Sequence, residues 1–298
     1  MNTLLQRINS GEVLISDGAM GTFLYAKGLK SGDCPEEWCV SHPDAVRDIH
    51  EAYVAAGADM VETNSFGGTR LKLRSYGLES RATEFNRAAA KLAKIAIADR
   101  GYVLGSVGPT GQMMKEDRGP ASAEDTYDAY REQVIALAEG GADAICAETF
   151  FSVHEARQAI RAAKDNTDLP LICTFTFDAG KRGFRTMMGV TIEQAVKAAI
   201  DVGADIVGTN CGNGIVNMIE IVRQVRAITP APILVHSNAG LPVFENGKTV
   251  YRETPEFMSA RVTELVEAGA NIIGGCCGTT PEHISAMRAA VMGLKAHV

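Results

Sequence analysis

Three cysteines have the residue type and the setting to do chemistry together: Cys211, Cys276 and Cys277. Cys211 sits in Asn210-Cys211-Gly212, and the adjacent pair in Gly274-Gly275-Cys276-Cys277-Gly278. Three thiolates on a tetrahedral zinc ion leave one position open, the pattern of a catalytic rather than a closed structural site. Zinc is redox-inert and lowers the pKa of a coordinated thiol, so such a site can present a substrate thiolate at neutral pH. The flanking glycines let the backbone turn sharply enough for adjacent cysteines to reach one ion. Two other readings compete. Free cysteines are often simply buried, and a Gly-rich loop can hold a phosphate. Adjacent thiols between glycines argue against the first, and the second gives the thiols no role.

Other reactive groups also fall where short apolar runs end: Asp17-Gly18, Glu62-Thr63-Asn64, Glu148-Thr149 and His236-Ser237-Asn238. Asp17 or Glu148 can hold a cationic group, and a turn at Gly18 can offer backbone N–H groups to an anion. The competing reading of Asp17 is a helix cap or Asx turn, and that of Glu148 a buried pair with Arg or Lys. Asn238 fits zinc's fourth position, a supporting position behind the ligands, or an ordinary strand-end hydrogen bond. Glu62 and Asn64 read as supporting groups behind the substrate. His236 reads as a satisfied core histidine, Cys34 and Cys39 as an incidental pair, and Cys146 and Cys173 as core. Met113-Met114 and Met187-Met188 either meet an apolar partner or pack locally.

The elements that must position these groups alternate. Short β-branched runs are expected as strands at Val13–Asp17, Asp59–Thr63, Val103–Val107, Ala144–Glu148, Leu171–Thr176, Ile206–Asn210, Ile233–Ser237 and Asn271–Cys276. Their Val, Ile and Leu suit a parallel sheet covered on both faces. Helical spacing follows each, as over Arg81–Arg100. Ser152 to Glu155 reads as a capping box, and Thr254-Pro255 and Thr280-Pro281 as helix starts. Four near-copies, Ala56-Gly57-Ala58-Asp59, Gly140-Gly141-Ala142-Asp143, Val202-Gly203-Ala204-Asp205 and Ala268-Gly269-Ala270-Asn271, precede every second strand. This βα repeat predicts a single (β/α)8 TIM barrel, one domain over residues 1–298, with its site on the loops at the strand C-termini. A doubly wound sheet is disfavoured, because no G-x-G-x-x-G follows the first strand. The loops Pro109–Asp125, Asp178–Thr191 and Ala239–Thr254 are long enough to shape a lid or a partner surface.

The composition excludes several classes. With 29 Lys+Arg against 36 Asp+Glu, the net charge is −7 over 298 residues, which argues against a sequence-independent nucleic-acid binder. No run of about 18 apolar residues suggests a membrane helix, and no basic-then-apolar leader is visible at the N-terminus. Seven cysteines, an odd number, argue against a disulfide framework. A cytoplasmic protein is expected.

Taken in order, Asp17-Gly18-Ala19-Met20-Gly21-Thr22, Glu62-Thr63-Asn64, Gly108-Pro109-Thr110, Asn210-Cys211-Gly212, Asn238-Ala239-Gly240-Leu241-Pro242 and Gly274-Gly275-Cys276-Cys277-Gly278-Thr279-Thr280-Pro281 resemble the homocysteine S-methyltransferase family. The likeness runs from about Gly11 to about Arg288. Within that family, Cys34–Thr69 and Asn238–Pro242 look most like the homocysteine-binding domain of cobalamin-dependent methionine synthase. The resemblance implies a (β/α)8 barrel with zinc on Cys211, Cys276 and Cys277, acidic groups Asp17 and Glu148 for homocysteine, and a carboxylate contact at the Gly18 backbone. It also implies methyl transfer to a homocysteine thiolate, giving methionine. These 298 residues leave no room for folate, cobalamin or activation domains, so the methyl donor is expected from outside. A separate methyl-corrinoid protein is the favoured source, with methylcobalamin acting only indirectly, through that partner or as donor. The alternatives are a sulfonium or betaine donor such as S-methylmethionine, another thiol acceptor, transfer in the demethylating direction, or a zinc- or thiol-binding module without turnover.

Overall fold

A computed structural model describes residues 3–245 and 248–295. The outer ends of the expected 1–298 domain and residues 246–247 of the seventh loop lie outside the described residues. Eight parallel strands carry the molecule: β1 (Leu14–Ile15), β2 (Met60–Glu62), β3 (Tyr102–Val107), β4 (Ala144–Phe150), β5 (Leu171–Phe175), β6 (Ile206–Asn210), β7 (Ile233–Ser237) and β8 (Ile272–Gly275). They pair in the order β1-β8-β7-β6-β5-β4-β3-β2, and helices cover the outside. This is the expected single (β/α)8 TIM barrel.

The four glycine repeats explain much of its construction. Gly57, Gly141, Gly203 and Gly269 all have φ between +97° and +111°, the left-handed region that glycine enters without a Cβ penalty. Two residues on, a side chain reaches back to the preceding strand. Ile15 N–H donates to Asp59 Oδ2 at 2.9 Å, Val103 N–H to Asp143 Oδ2 at 2.8 Å, Leu171 N–H to Asp205 Oδ2 at 2.8 Å and Ile233 N–H to Asn271 Oδ1 at 2.9 Å. A long cationic side chain lies beside each glycine and bonds the same carboxylate or amide: Arg288, Lys94, Lys164 and Arg226, respectively. Each repeat thus ends a helix, starts an even strand and pins it to its odd neighbour.

The seam between β1 and β2 closes with few ladder bonds. Asp59 N–H donates to Ile15 O at 2.7 Å, and Glu62 N–H donates to the Asp17 carboxylate at 2.9 Å. Inside, Leu14, Met60, Leu104, Ile172, Ile206, Leu234 and Ile272 fill the barrel. Leu4 and Ile8 of the N-terminal helix Leu4–Asn9 join that cluster and plug the end remote from the reactive groups. A second core lies between the strands and the helices. Among the described residues no helix is long and apolar enough to cross a membrane.

Local expectations shift in several places. The first and last strands are shorter than Val13–Asp17 and Asn271–Cys276, because Asp17 and Cys276 turn out into the loops. The helix within Arg81–Arg100 spans Ala82–Ile97. Ser152 caps the N–H groups of His154 and Glu155, but the capping box is not formed. The Glu155 carboxylate instead accepts from Thr110 N–H, Thr110 Oγ1 and Tyr130 Oη, tying the third loop to the helix after β4. The loop expected at Pro109–Asp125 ends at Ser122, the cap of helix Ala123–Gly140. The other two long loops carry hairpins, Asp178–Gly180 with Gly183–Arg185 and Val243–Glu245 with Lys248–Val250.

Candidate metal and substrate site

At the C-terminal end of the barrel the structure brings Cys211, Cys276 and Cys277 together, with their sulfurs all within 4.8 Å of one another. Cys211 follows β6 with φ +57°, a left-handed conformation that costs a non-glycine residue about 1 kcal/mol or more. Its N–H donates to His236 O at 3.0 Å, and Cys276 N–H donates to Ser237 O at 2.8 Å, so β7 braces both cysteine loops. Cys211 Sγ lies 3.9 Å from Cys277 Sγ. Hydrogen bonds from Cys211 and Cys276 push the Cys277 thiol down to about 3, while the same contacts push Cys276 up. Cys211 also rises, to about 11, so among the three thiols the thiolate is concentrated on Cys277. The Tyr251 ring packs where a Cβ on Gly278 would stand, closing the cluster from the seventh loop. The buried Asn238 Oδ1 has no hydrogen-bond partner among the described residues. Three soft sulfurs with an oxygen acceptor left over suit zinc.

Beside the sulfurs lies a group of buried carboxylates, Glu148, Asp17 and Glu62. Glu148, at the end of β4, is 7% exposed and has no Arg or Lys within ion-pair distance among the described residues, which excludes the buried-pair reading. Ser106 Oγ donates to its Oε1, and Asn210 Nδ2 donates to its Oε2 at 3.0 Å. Burial raises the Glu148 pKa to about 7. Asn210 is itself held, its Oδ1 accepting from Thr149 N–H at 2.9 Å and Thr174 Oγ1 at 2.7 Å. Thr149 has φ +63°, a second left-handed non-glycine residue at this end. Asp17 is also buried, and burial pushes its pKa well up. One of its oxygens already accepts Glu62 N–H, so Asp17 helps to close the barrel as well as facing the pocket.

Glu62 Oε2 lies 3.7 Å from His236 Nδ1. Burial raises the Glu62 pKa and drives His236 down to about 3, so the imidazole is uncharged and the contact is not a salt bridge. His236 lies in the core, but its Nε2 has no hydrogen-bond partner among the described residues, so it is not the satisfied histidine expected. Asn64 spends its amide on Pro35 O at 2.8 Å and Cys39 Sγ at 3.5 Å, tethering the segment after β1. Cys34, Cys39, Cys146 and Cys173 are buried, and burial raises their pKa values. Of the paired methionines, Met114 packs inside, whereas Met113, Met187 and Met188 are exposed. Sequence reasoning missed Ser106, Thr174, Tyr251, Thr279 and Tyr53. Only Thr279 carried a signal, its place in the Cys276–Pro281 motif.

Fold and site together define a barrel enzyme scaffold with a three-thiol cluster beside an unpaired carboxylate. The homocysteine S-methyltransferase family model matches residues 14–291, and the chain belongs to that family. It is similar to methionine synthase of Mycobacterium tuberculosis (strain ATCC 25618 / H37Rv), with 32% identity over 316 aligned residues covering 99% of this chain. The chain spans 26% of that protein's length. Among solved structures it resembles the homocysteine methyltransferase MmuM from Escherichia coli in its metallated form, at TM-score 0.80 and 26% identity, covering 97% of this chain and 99% of that one. The carboxyl transferase domain of Rhizobium etli pyruvate carboxylase, at 15% identity, covering 97% of this chain and 49% of that one, and TM-score 0.52, shares the fold alone.

Proposed function

We propose that this chain is a zinc-dependent homocysteine S-methyltransferase that makes methionine, with the methyl group delivered by a separate methyl-corrinoid protein. The observation that carries the reading is the pairing of three clustered thiols with a buried carboxylate that lacks a cationic partner. Cys211, Cys276 and Cys277 would hold the metal, and the unpartnered Asn238 Oδ1 is the candidate for its fourth position. A zinc ion there makes a coordinated substrate thiol a nucleophile at neutral pH. Glu148, anchored by Ser106 and Asn210, takes the α-ammonium, with the buried Asp17 carboxyl beside it. Among the described residues the Gly18 N–H has no protein acceptor, leaving it free for the α-carboxylate. Glu62 holds Asp17 in place through its backbone N–H. Held at both ends, the substrate aims its sulfur out of the mouth, where positioning lowers the barrier to in-line attack on a methyl group.

The rim of the mouth supports a protein-borne donor. Phe66, Met113, Met187, Leu241 and Phe244 are exposed on the second, third, fifth and seventh loops, and apolar rims of this kind mark contact surfaces. One observation favours a second reading. MmuM, titled a homocysteine methyltransferase, is matched over 99% of its own length by this chain, so a lone barrel with a small sulfonium or betaine donor is the alternative. The deciding experiment gives zinc-loaded protein and homocysteine either methylcobalamin or S-methylmethionine, beside a no-enzyme control. Enzyme-dependent methionine from methylcobalamin alone supports the corrinoid reading, and methionine from S-methylmethionine supports the alternative. Methionine from neither overturns both donors.

A further inference from the structure

Two hydroxyl side chains weld the first loop to the eighth. Thr279 Oγ1 accepts from Ala19 N–H at 3.2 Å and donates to Cys276 O at 2.7 Å. Tyr53, on the helix Pro43–Ala55, points its hydroxyl at Ala19 O, 3.0 Å away, and at Thr279 O, 3.2 Å away. Gly275 N–H donates to Asp17 O at 2.8 Å. Both Thr279 and Tyr53 are fully buried. The approach is close enough to require glycine on both loops. A Cβ on Gly18 would lie 2.6 Å from Thr279 Oγ1 and 2.9 Å from the Tyr53 hydroxyl, and a Cβ on Gly275 would lie 2.2 Å from Thr279 Oγ1. Neither glycine has a positive φ, so it is space, not backbone conformation, that demands glycine there.

We infer that Thr279 and Tyr53 are positioning residues that fix the span between the Gly18 backbone and the Cys276–Cys277 sulfurs, and so set the chain length of the thiol amino acid that fits. The inference rests on the homocysteine reading above. A substrate held by its carboxylate at one end and its sulfur at the other must match a fixed distance. A thiol one methylene shorter then gives up one of the two contacts. A pocket that merely senses a missing methylene discriminates only about 10–200-fold, and a fixed span adds to that only while the two loops cannot drift apart. Neither hydroxyl needs to touch substrate or metal to act this way.

The test compares zinc-loaded wild type with Thr279→Val, Thr279→Ser and Tyr53→Phe. Zinc stoichiometry, melting temperature and the calorimetric Kd values for homocysteine and cysteine are measured for each. Thr279→Val keeps the volume and removes both hydrogen bonds of the hydroxyl. Thr279→Ser keeps the hydroxyl, and Tyr53→Phe removes only the second weld and carries the same test if the valine variant does not fold. The expected result is a homocysteine Kd raised about 10-fold in Thr279→Val and Tyr53→Phe, since a misplacement of about 1 Å costs up to 10²-fold. The preference over cysteine should shrink by a similar factor, with zinc stoichiometry unchanged and Thr279→Ser restoring wild-type discrimination. Equal weakening of both thiols, unchanged discrimination, or zinc lost in step with binding would overturn the inference. Wild type that binds zinc but not homocysteine would instead refute the underlying homocysteine reading, before any variant is compared.

Discussion

Glu148 offers the sharpest test of how this site binds its substrate. Burial without a cationic partner raises its pKa to about 7, and only the ionised form can take an α-ammonium. With a pKa near 7, about one site in eleven is ionised at pH 6 and nine in ten at pH 8. The apparent KM for homocysteine should therefore fall about tenfold between pH 6 and pH 8. Glu148→Gln keeps the shape and the contacts with Ser106 and Asn210 but loses the charge. A charge-assisted hydrogen bond is worth about 1.5–3 kcal/mol, so the variant's KM at pH 8 should rise by one to two orders of magnitude and lose its pH dependence. The same burial affects stability in the opposite sense. The folded pKa lies above the unfolded value near 4.5, so the ligand-free fold loses stability as pH rises from about 4.5 to about 7. At pH 8 the ligand-free Glu148→Gln protein should be more stable than wild type, by at most roughly 3 kcal/mol. The assays are initial rates across pH 5.5–8.5 and urea unfolding at pH 8. A flat wild-type KM profile, or a glutamine variant that keeps both KM and slope, would refute this role for Glu148.

Three further outcomes are expected. His50 is buried, neither ring nitrogen has a hydrogen-bond partner among the described residues, and burial holds its pKa down to about 4. The unfolded chain binds the proton more tightly, so stability should drop by roughly 3 kcal/mol as pH falls from 6.5 to 4. Urea titrations of wild type and His50→Leu at pH 7.5 and 4.5 test this, and the variant should show the smaller loss. Gly278 has φ +80° and the Tyr251 ring only 2.1 Å from a would-be Cβ, so Gly278→Ala should lower zinc stoichiometry, read by metal analysis. Asn210→Ala leaves Glu148 without one anchor and strips a fully buried network, so it should cost about 1–3 kcal/mol of stability and raise the KM for homocysteine, both read on the purified protein.

The sequence made the barrel legible because its repeats are physical devices. Gly57-Ala58-Asp59 and its three copies carry a left-handed turn and a side chain that ties two strands. The cysteine trio was legible because adjacent thiols between glycines have few other uses. What stayed hidden were contacts between residues far apart in the chain. Nothing local in Ser106 or Thr174 foretells the Glu148–Asn210 network, and Tyr53 meets Thr279 across 226 positions. The hairpins at Asp178–Arg185 and Val243–Val250 lack an apolar alternation strong enough to separate them from loop. Asn64 shows the limit of a motif, since its neighbours in sequence suggest a pocket while its amide serves Pro35 and Cys39.

The most direct test of the central claim is zinc K-edge X-ray absorption on the zinc-loaded protein, with and without homocysteine. The account expects three sulfur neighbours at about 2.3 Å and one lighter neighbour without the substrate, then a fourth sulfur when homocysteine is added. Fewer than three sulfurs, or a spectrum that homocysteine leaves unchanged, would contradict it.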